Sequence, residues 1–391
     1  MNQNFKNTDK EYVASTYARF DLALTHGKGS LVYDENGKEY IDLSSGIAVN
    51  TFGIADGEWI AAVTEQASKI QHASNLYYTE PSANLAKILC SRTGAKKVFF
   101  SNSGAEANEC AIKCARLWAE KNKGSDYYNI ITLKNSFHGR TVTTLAATGQ
   151  DVFHEHFTPM TEGFLYAEAN NLDEVIKLAR DNKCAAVMME PVQGEGGVMT
   201  LDEKFVQGVC EFAKENGLLV ILDEVQTGNG RSGYLYAYEH FGIKPDILTT
   251  AKGLAGGLPI GATLFFDKTA DVLSAGLHGS TFGGNPVSCA AAISVINRID
   301  EKLLKEVREK SEYIFSELEG ADGIKSVSGL GLMIGIETAG DASKIIQKCM
   351  EEGILPIKAK NKVRLLPALN IPMPLLEKAV KIIKKAAKET M

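Results

Sequence analysis

Short apolar runs, each bounded by Gly, Asn or Asp, alternate along most of the chain with longer stretches of helical period. Val98-Phe99-Phe100, Asn129 to Leu133, Ala185 to Met189, Gly217 to Leu222, Ile247 to Thr250 and Ala262 to Phe266 read as strands. Ala105 to Lys121, Asn171 to Asp181 and Asp202 to Glu215 read as helices. This alternation predicts βαβ units and a mostly parallel sheet with helices on both faces, an α/β fold.

The ends read differently. Residues 31–43 suggest two short strands around an Asn36-Gly37 turn. A helical stretch runs from Asn285 to about Leu318. Gly-rich strands follow in Ser326 to Glu337, then a helix from Ala342 to Glu352, strands near Ile354 and Val363, and a last helix from Pro374 to Lys388. The expectation is a large central domain, residues 46–285, and a smaller α+β domain made from residues 1–45 and 286–391.

Composition narrows the function by exclusion. With 391 residues and 45% hydrophobic content the chain can bury a large core. Its 42 Lys+Arg against 48 Asp+Glu leave a net charge of −6, with no basic run to suit nucleic acid. The apolar runs, such as Leu218 to Leu222, are too short to cross a bilayer, and the polar start lacks an apolar signal core. Seven Cys without CxxC or Cys/His ligand spacing predict reduced thiols in a cytoplasmic chain and no metal site.

Six segments carry candidate chemistry. The apolar run ending at Leu222 meets two carboxylates, Asp223 and Glu224. A strand-end acid can cap a turn, or it can meet a ligand outside the carboxyl edge of the sheet. Lys252 follows a strand and is flanked by Ala251, Gly253 and the later pair Gly256-Gly257. Such small neighbours fit a solvated loop, or a lysine that forms an imine with a planar ring. Ser103-Gly104-Ala105-Glu106 has capping-box spacing, and a capped helix start also suits a phosphate. Phe137 and Arg140 offer either core and surface positions, or a stacking ring and a bidentate carboxylate partner. Glu190 to Gly197 places polar residues among glycines after a strand. Ser280 and Thr281 are helix-capping hydroxyls or phosphate donors.

Each segment is ambiguous alone. Together they supply a phosphate cradle, a stacking aromatic, a strand-end acid, a lone lysine and a carboxylate-binding arginine. Pyridoxal 5'-phosphate requires an imine-forming lysine, an acid for its ring nitrogen and a phosphate pocket.

The chain resembles the class III pyridoxal-phosphate aminotransferases of fold type I, in the ornithine/acetylornithine branch. The resemblance runs from about Ser30 to about Pro374. It rests on Ser103-Gly104-Ala105-Glu106-Ala107-Asn108, Phe137-His138-Gly139-Arg140, Glu190-Pro191-Val192-Gln193-Gly194-Glu195-Gly196-Gly197, Asp223-Glu224-Val225-Gln226-Thr227-Gly228, Ala251-Lys252 and Gly279-Ser280-Thr281. It implies that Lys252 carries the imine and moves the proton, and that Asp223 pairs with the ring nitrogen. Gln226 would lie near the ring 3′-oxygen, with Phe137 and Val225 against the two ring faces. Ser103, Gly104 and Ala105 would hold the phosphate, and Thr281 would reach the phosphate of a neighbouring subunit in a homodimer. Arg140 and Ser280 would contact the amino donor. Glu195 would cover Arg364 and release it for the α-carboxylate of glutamate or 2-oxoglutarate.

Ser45-Gly46-Ile47-Ala48-Val49-Asn50 is similar to the acetylornithine side of that branch, and Ile47 offers no polar handle for a free α-amino group. The implied reaction moves the δ-amino group of an acylated ornithine to 2-oxoglutarate. Succinylornithine, ornithine and 4-aminobutyrate remain alternative donors, and an intramolecular aminomutase is a further alternative. One stretch departs from the family: Gly53-Ile54-Ala55-Asp56-Gly57-Glu58-Trp59 stands where relatives read Gly-His-x-His-Pro.

Overall fold

A computed structural model describes residues 5–391. A seven-stranded sheet has the order Lys97–Ser101, Gly261–Phe265, Ile247–Thr250, Leu219–Asp223, Cys184–Met189, Asn129–Leu133, Phe164–Ala167. Only Gly261–Phe265 runs antiparallel to its neighbours. Every residue of Cys184–Met189 and Leu219–Asp223 is buried. That is why these strands read as continuous apolar runs rather than as alternations.

Strand period decides what each side chain meets. Leu219 and Ile221 pack in one cluster with Cys110, Ile112 and Cys114 of the helix Gly104–Lys123. Val220 and Leu222 pack in the opposite cluster with Val206 and Val209 of the helix Glu203–Glu215. Asp223 therefore falls on the face of Leu219 and Ile221, beneath the start of Gly104–Lys123. All seven cysteines are free.

A second sheet joins Leu24–Lys28, Leu31–Asp34 and Glu39–Asp42 to the distant strand Ile354–Leu355. A third is antiparallel, in the order Ile324–Leu330, Met333–Thr338, Lys362–Leu365, Ile357–Ala359. The expected helical stretch from Asn285 to Leu318 is two helices, Pro286–Ile296 and Glu301–Leu318. Asp300 breaks it, because its carboxylate accepts the Leu303 N–H at 2.8 Å and starts the second helix.

Two further differences from the sequence reading concern the site. The capping box at Ser103 is skewed by one residue. Ser103 accepts from the Glu106 N–H at 3.2 Å, while the Glu106 carboxylate reaches back to the Asn102 N–H at 2.7 Å rather than to that of Ser103. Residues Ser45–Ala48 form a left-handed turn, with φ between 47° and 64°. Asp42 holds it by accepting from Ser44 N, Ser44 Oγ and Ser45 N at 2.8–2.9 Å. Among the described residues no helix is long and apolar enough to cross a membrane, and no His/Cys/Asp/Glu group could hold a metal ion.

Candidate active site

The carboxyl edge of the large sheet opens on a cavity of about 430 Å³. Ser103, Gly104, Ala105, Phe137, Arg140, Asp223, Val225, Gln226 and Lys252 all line it. The separate segments of the sequence thus meet in one place, because each follows a strand that ends there.

The phosphate-cradle segment is set by contact as much as by capping. A Cβ on Gly104 would stand 2.7 Å from Val225 Cγ1, so only glycine lets the helix start approach the turn after Asp223. The amides of Gly104 and Ala105 precede the first intrahelical bond, and both residues line the cavity.

Asp223 ends its strand inside a hydrogen-bond network. Its Oδ2 accepts from Asn108 Nδ2 at 2.7 Å and from His138 Nδ1 at 2.9 Å, and its Oδ1 accepts from the Val225 N–H at 3.0 Å. Asn108 is fixed in turn, since its Oδ1 accepts from Thr249 Oγ1 at 2.7 Å. Three donors from three different elements thus fix the orientation of this carboxylate. The buried Nε2 of His138 has no protein partner.

Lys252 is half-buried on the cavity wall rather than free in an open loop. Burial pushes its amine below the usual lysine range; Arg364 adds to this, and Glu195, Asp223 and Glu190 oppose it. Glu190, also on the cavity wall, accepts from the Phe137 N–H at 2.8 Å and from the Gly194 N–H at 3.4 Å. Burial raises its carboxyl well above the usual range, and the charge of Asp223 adds to that.

Buried Arg364 and half-buried Glu195 form an ion pair beside this cavity. Arg364 Nη1 lies 2.6 Å from Glu195 Oε1 and 3.2 Å from Gln226 Oε1. A Cβ on Gly194 would fall 2.5 Å from Gln226 Oε1, so glycine there allows the loop to close on Gln226. Burial alone would raise Glu195, but the charge and hydrogen bonds of Arg364 hold it below the ordinary carboxylate value.

Arg140 is exposed at the mouth, 4.9 Å from the Phe153 ring centre and 5.7 Å from that of Phe137. Among the described residues no carboxylate pairs with it. Ser280 lies next to the cradle, its Oγ accepting from Asn102 Nδ2 at 3.2 Å. Thr281 is exposed and outside the cavity. The left-handed turn sends Val49 to the cavity wall, whereas Ile47 is 43% exposed.

Asn108, His138, Thr249 and Glu190 were not singled out from the sequence. Asn108 had a legible signal, an amide inside a helix where it costs propensity, one turn beyond Gly104. His138 and Glu190 sat within quoted motifs, but nothing in their spacing says which atoms they face.

Comparison with known proteins agrees with this geometry. The family described as Aminotransferase class-III matches residues 12–387. An acetylornithine aminotransferase of Haemophilus ducreyi is 50% identical over 386 residues, 98% of each chain. One from Methanocaldococcus jannaschii is 44% identical over 90% of each chain. Among solved structures, the ornithine aminotransferase of Toxoplasma gondii, its active site partially occupied by PLP, superposes with a TM-score of 0.94. It is 31% identical, and the match covers 100% of this chain and 95% of that one. The N-acetylornithine aminotransferase of Stenotrophomonas maltophilia gives a TM-score of 0.84 at 33% identity, with 97% of each chain covered. With a family match over nearly its whole length and a relative at 50% identity, the chain belongs to the class III aminotransferases.

Proposed function

We propose that the chain is a pyridoxal 5'-phosphate-dependent aminotransferase that moves the δ-amino group of N²-acetylornithine to 2-oxoglutarate, giving N-acetylglutamate 5-semialdehyde and glutamate, as in arginine biosynthesis. The observation that carries the chemistry is a half-buried lysine and a strand-end carboxylate held by three donors in one cavity whose rim is a helix start. The donor is supported by acetylornithine aminotransferases that are 41–50% identical to this chain over nearly its whole length.

The residues fit the cofactor. Gly104 and Ala105 offer amides for its phosphate, and the Val225 contact keeps that rim open only because residue 104 lacks a Cβ. Phe137 and Val225, both on the cavity wall, would flank the ring, and Asp223 would accept its N–H. When bound, the cofactor supplies an aldehyde carbon and a ring that accepts electrons from the reacting carbon.

The rest is done by the chain. Asp223, oriented by Asn108, His138 and the Val225 amide, would hold the proton on the ring nitrogen. Lys252, with its amine pushed toward the neutral form, removes the proton from Cδ of the donor and returns one in the second half-reaction. Arg140 holds the donor carboxylate with Ser280 beside it. Glu195 neutralises Arg364 while the acylated donor is bound. When Glu195 swings away, Arg364 takes the α-carboxylate of 2-oxoglutarate or glutamate.

The reading includes a cytoplasmic homodimer. The free cysteines support a reducing compartment. Segment 71–78 is tied to the Ser280 region through Asn75 and Asn285, and it exposes Leu76, Tyr77 and Tyr78 next to exposed Phe282. An apolar patch beside Thr281 suits a second copy that shares the site. Sedimentation should give twice the mass of the chain. Borohydride reduction followed by peptide mass spectrometry should leave a pyridoxyl group on Lys252; modification of any other lysine would reject the assignment.

A further inference from the structure

The backbone at Lys252 is itself in an unfavourable conformation. Its φ is 40°, a region that a non-glycine residue occupies only where its surroundings over-determine it. Three side chains from outside the turn hold its carbonyls. Asn229 Nδ2 donates to Ala251 O at 3.2 Å, Thr51 Oγ1 to Gly253 O at 2.7 Å, and Trp59 Nε1 to Ala255 O at 2.7 Å. The grip falls on alternate residues, before, after and three beyond the lysine. None of these three side chains lines the cavity.

Trp59 does more than donate one bond. It lies on the helix Gly57–Ala67. Asp56 caps that helix through the Trp59 N–H at 2.9 Å, and Arg298 anchors Asp56 at 2.8 Å. Arg298 in turn lies 4.0 Å from the ring centre of Phe52. The indole backs Gly256 and Gly257: a Cβ there would stand 3.3 Å and 3.6 Å from its ring atoms. Gly257 and Leu258 form part of the cavity wall.

We propose that Thr51, Asn229 and Trp59 are positioning residues that hold the Lys252 turn left-handed and so keep its Nζ aimed into the cavity, and that Trp59 also braces the wall at Gly257. The proposal rests on the reading of Lys252 as the reacting amine. It makes a statement that a substrate contact would not: both half-reactions use the same amine, so both must slow.

Trp59→Phe keeps most of the ring and removes the N–H. Thr51→Val keeps the shape and removes the hydroxyl. In cofactor-free protein, hydrogen exchange of peptides covering 250–258 should accelerate in each variant while distant strands keep wild-type rates. In holoenzyme, the rate constants of both half-reactions should fall together by about three- to tenfold, the value of one hydrogen bond, with KM for both substrates unchanged. Unchanged exchange and unchanged rates in both variants would overturn the clamp. A fall confined to one half-reaction, or to KM, would make Trp59 a substrate-binding residue instead. If Trp59→Phe does not fold, Thr51→Val carries the same test. Failure to find the pyridoxyl group on Lys252 would reject the reading beneath the proposal, while the exchange experiment still reports on the turn.

Discussion

Glu195 and Arg364, separated by 169 residues in the chain, face each other at 2.6 Å beside the cavity, with the Arg364 side chain only 3% exposed. A buried guanidinium needs a counter-charge, and this one has a single carboxylate together with the Gln226 amide oxygen. Glu195 is the more exposed partner, at 32%, and is the one free to swing away.

Replacing Glu195 with Ala leaves Arg364 ready for an incoming α-carboxylate. The kcat/KM for glutamate as amino donor, relative to N-acetylornithine, should rise about tenfold, worth ~1.4 kcal/mol. The same variant should melt at a lower temperature, because a buried charge has lost its partner. An unaltered donor ratio would reject the gate.

Among the described residues Arg140 makes no ion pair that would occupy it, and it packs against the Phe153 ring instead. Arg140→Ala should therefore raise KM for the acylated donor by about 10- to 100-fold, the loss of a charge-assisted contact, with little change in melting temperature. Steady-state kinetics at fixed 2-oxoglutarate measures it. A normal KM would remove Arg140 from the site.

Asp223→Asn exchanges a carboxylate oxygen for an amide that meets the donors of Asn108 and His138. The expected fall in kcat is on the order of 10²–10³-fold, typical of removing charge stabilisation at a reacting group. His138→Asn should cost about tenfold, since the carboxylate keeps its other two donors. The two variants side by side tell whether His138 acts through Asp223: in an Asp223→Asn background its loss should add almost nothing.

Glu224 is fully buried, and burial pushes its carboxyl up to about 7 despite hydrogen bonds from Ala237 N, Tyr238 N and Thr227 Oγ1. Its folded value exceeds the unfolded value near 4.5, so the folded state binds the extra proton. Its stabilising contribution is complete below about pH 4.5 and is lost as the pH rises through about 7. Glu224→Gln should be less stable at pH 5 but should flatten the decline between pH 5 and 8, a slope amounting to about 3 kcal/mol in the wild type. Urea unfolding across that range reads it; an equal slope in both proteins would contradict the assignment.

Much of this architecture was legible because central strands of a parallel sheet bury both faces and so announce themselves as unbroken apolar runs, as Leu219–Asp223 does. The break at Asp300 was missed because its flanks keep helical periodicity and only the cap geometry ends the first helix. Lys252 and Asp223 stood out by their position after strands. His138 and Asn108 did not, because their meaning lies in which oxygen they reach across the fold. Trp59 had no signal at all as a neighbour of Lys252: 196 residues separate its indole from the Ala255 carbonyl. The left-handed turn at Ser45–Ala48 likewise hid that Val49, and not Ile47, meets the cavity.

The central claim is the donor. Stopped-flow half-reactions follow the bound cofactor's absorbance when the enzyme is mixed separately with N-acetylornithine, succinylornithine, ornithine and 4-aminobutyrate, and then with 2-oxoglutarate. N-acetylornithine should give the fastest loss of absorbance, with ornithine and 4-aminobutyrate at least about tenfold slower, and 2-oxoglutarate should restore the absorbance in full. A faster reaction with ornithine or 4-aminobutyrate, or no recovery with 2-oxoglutarate, would contradict that claim.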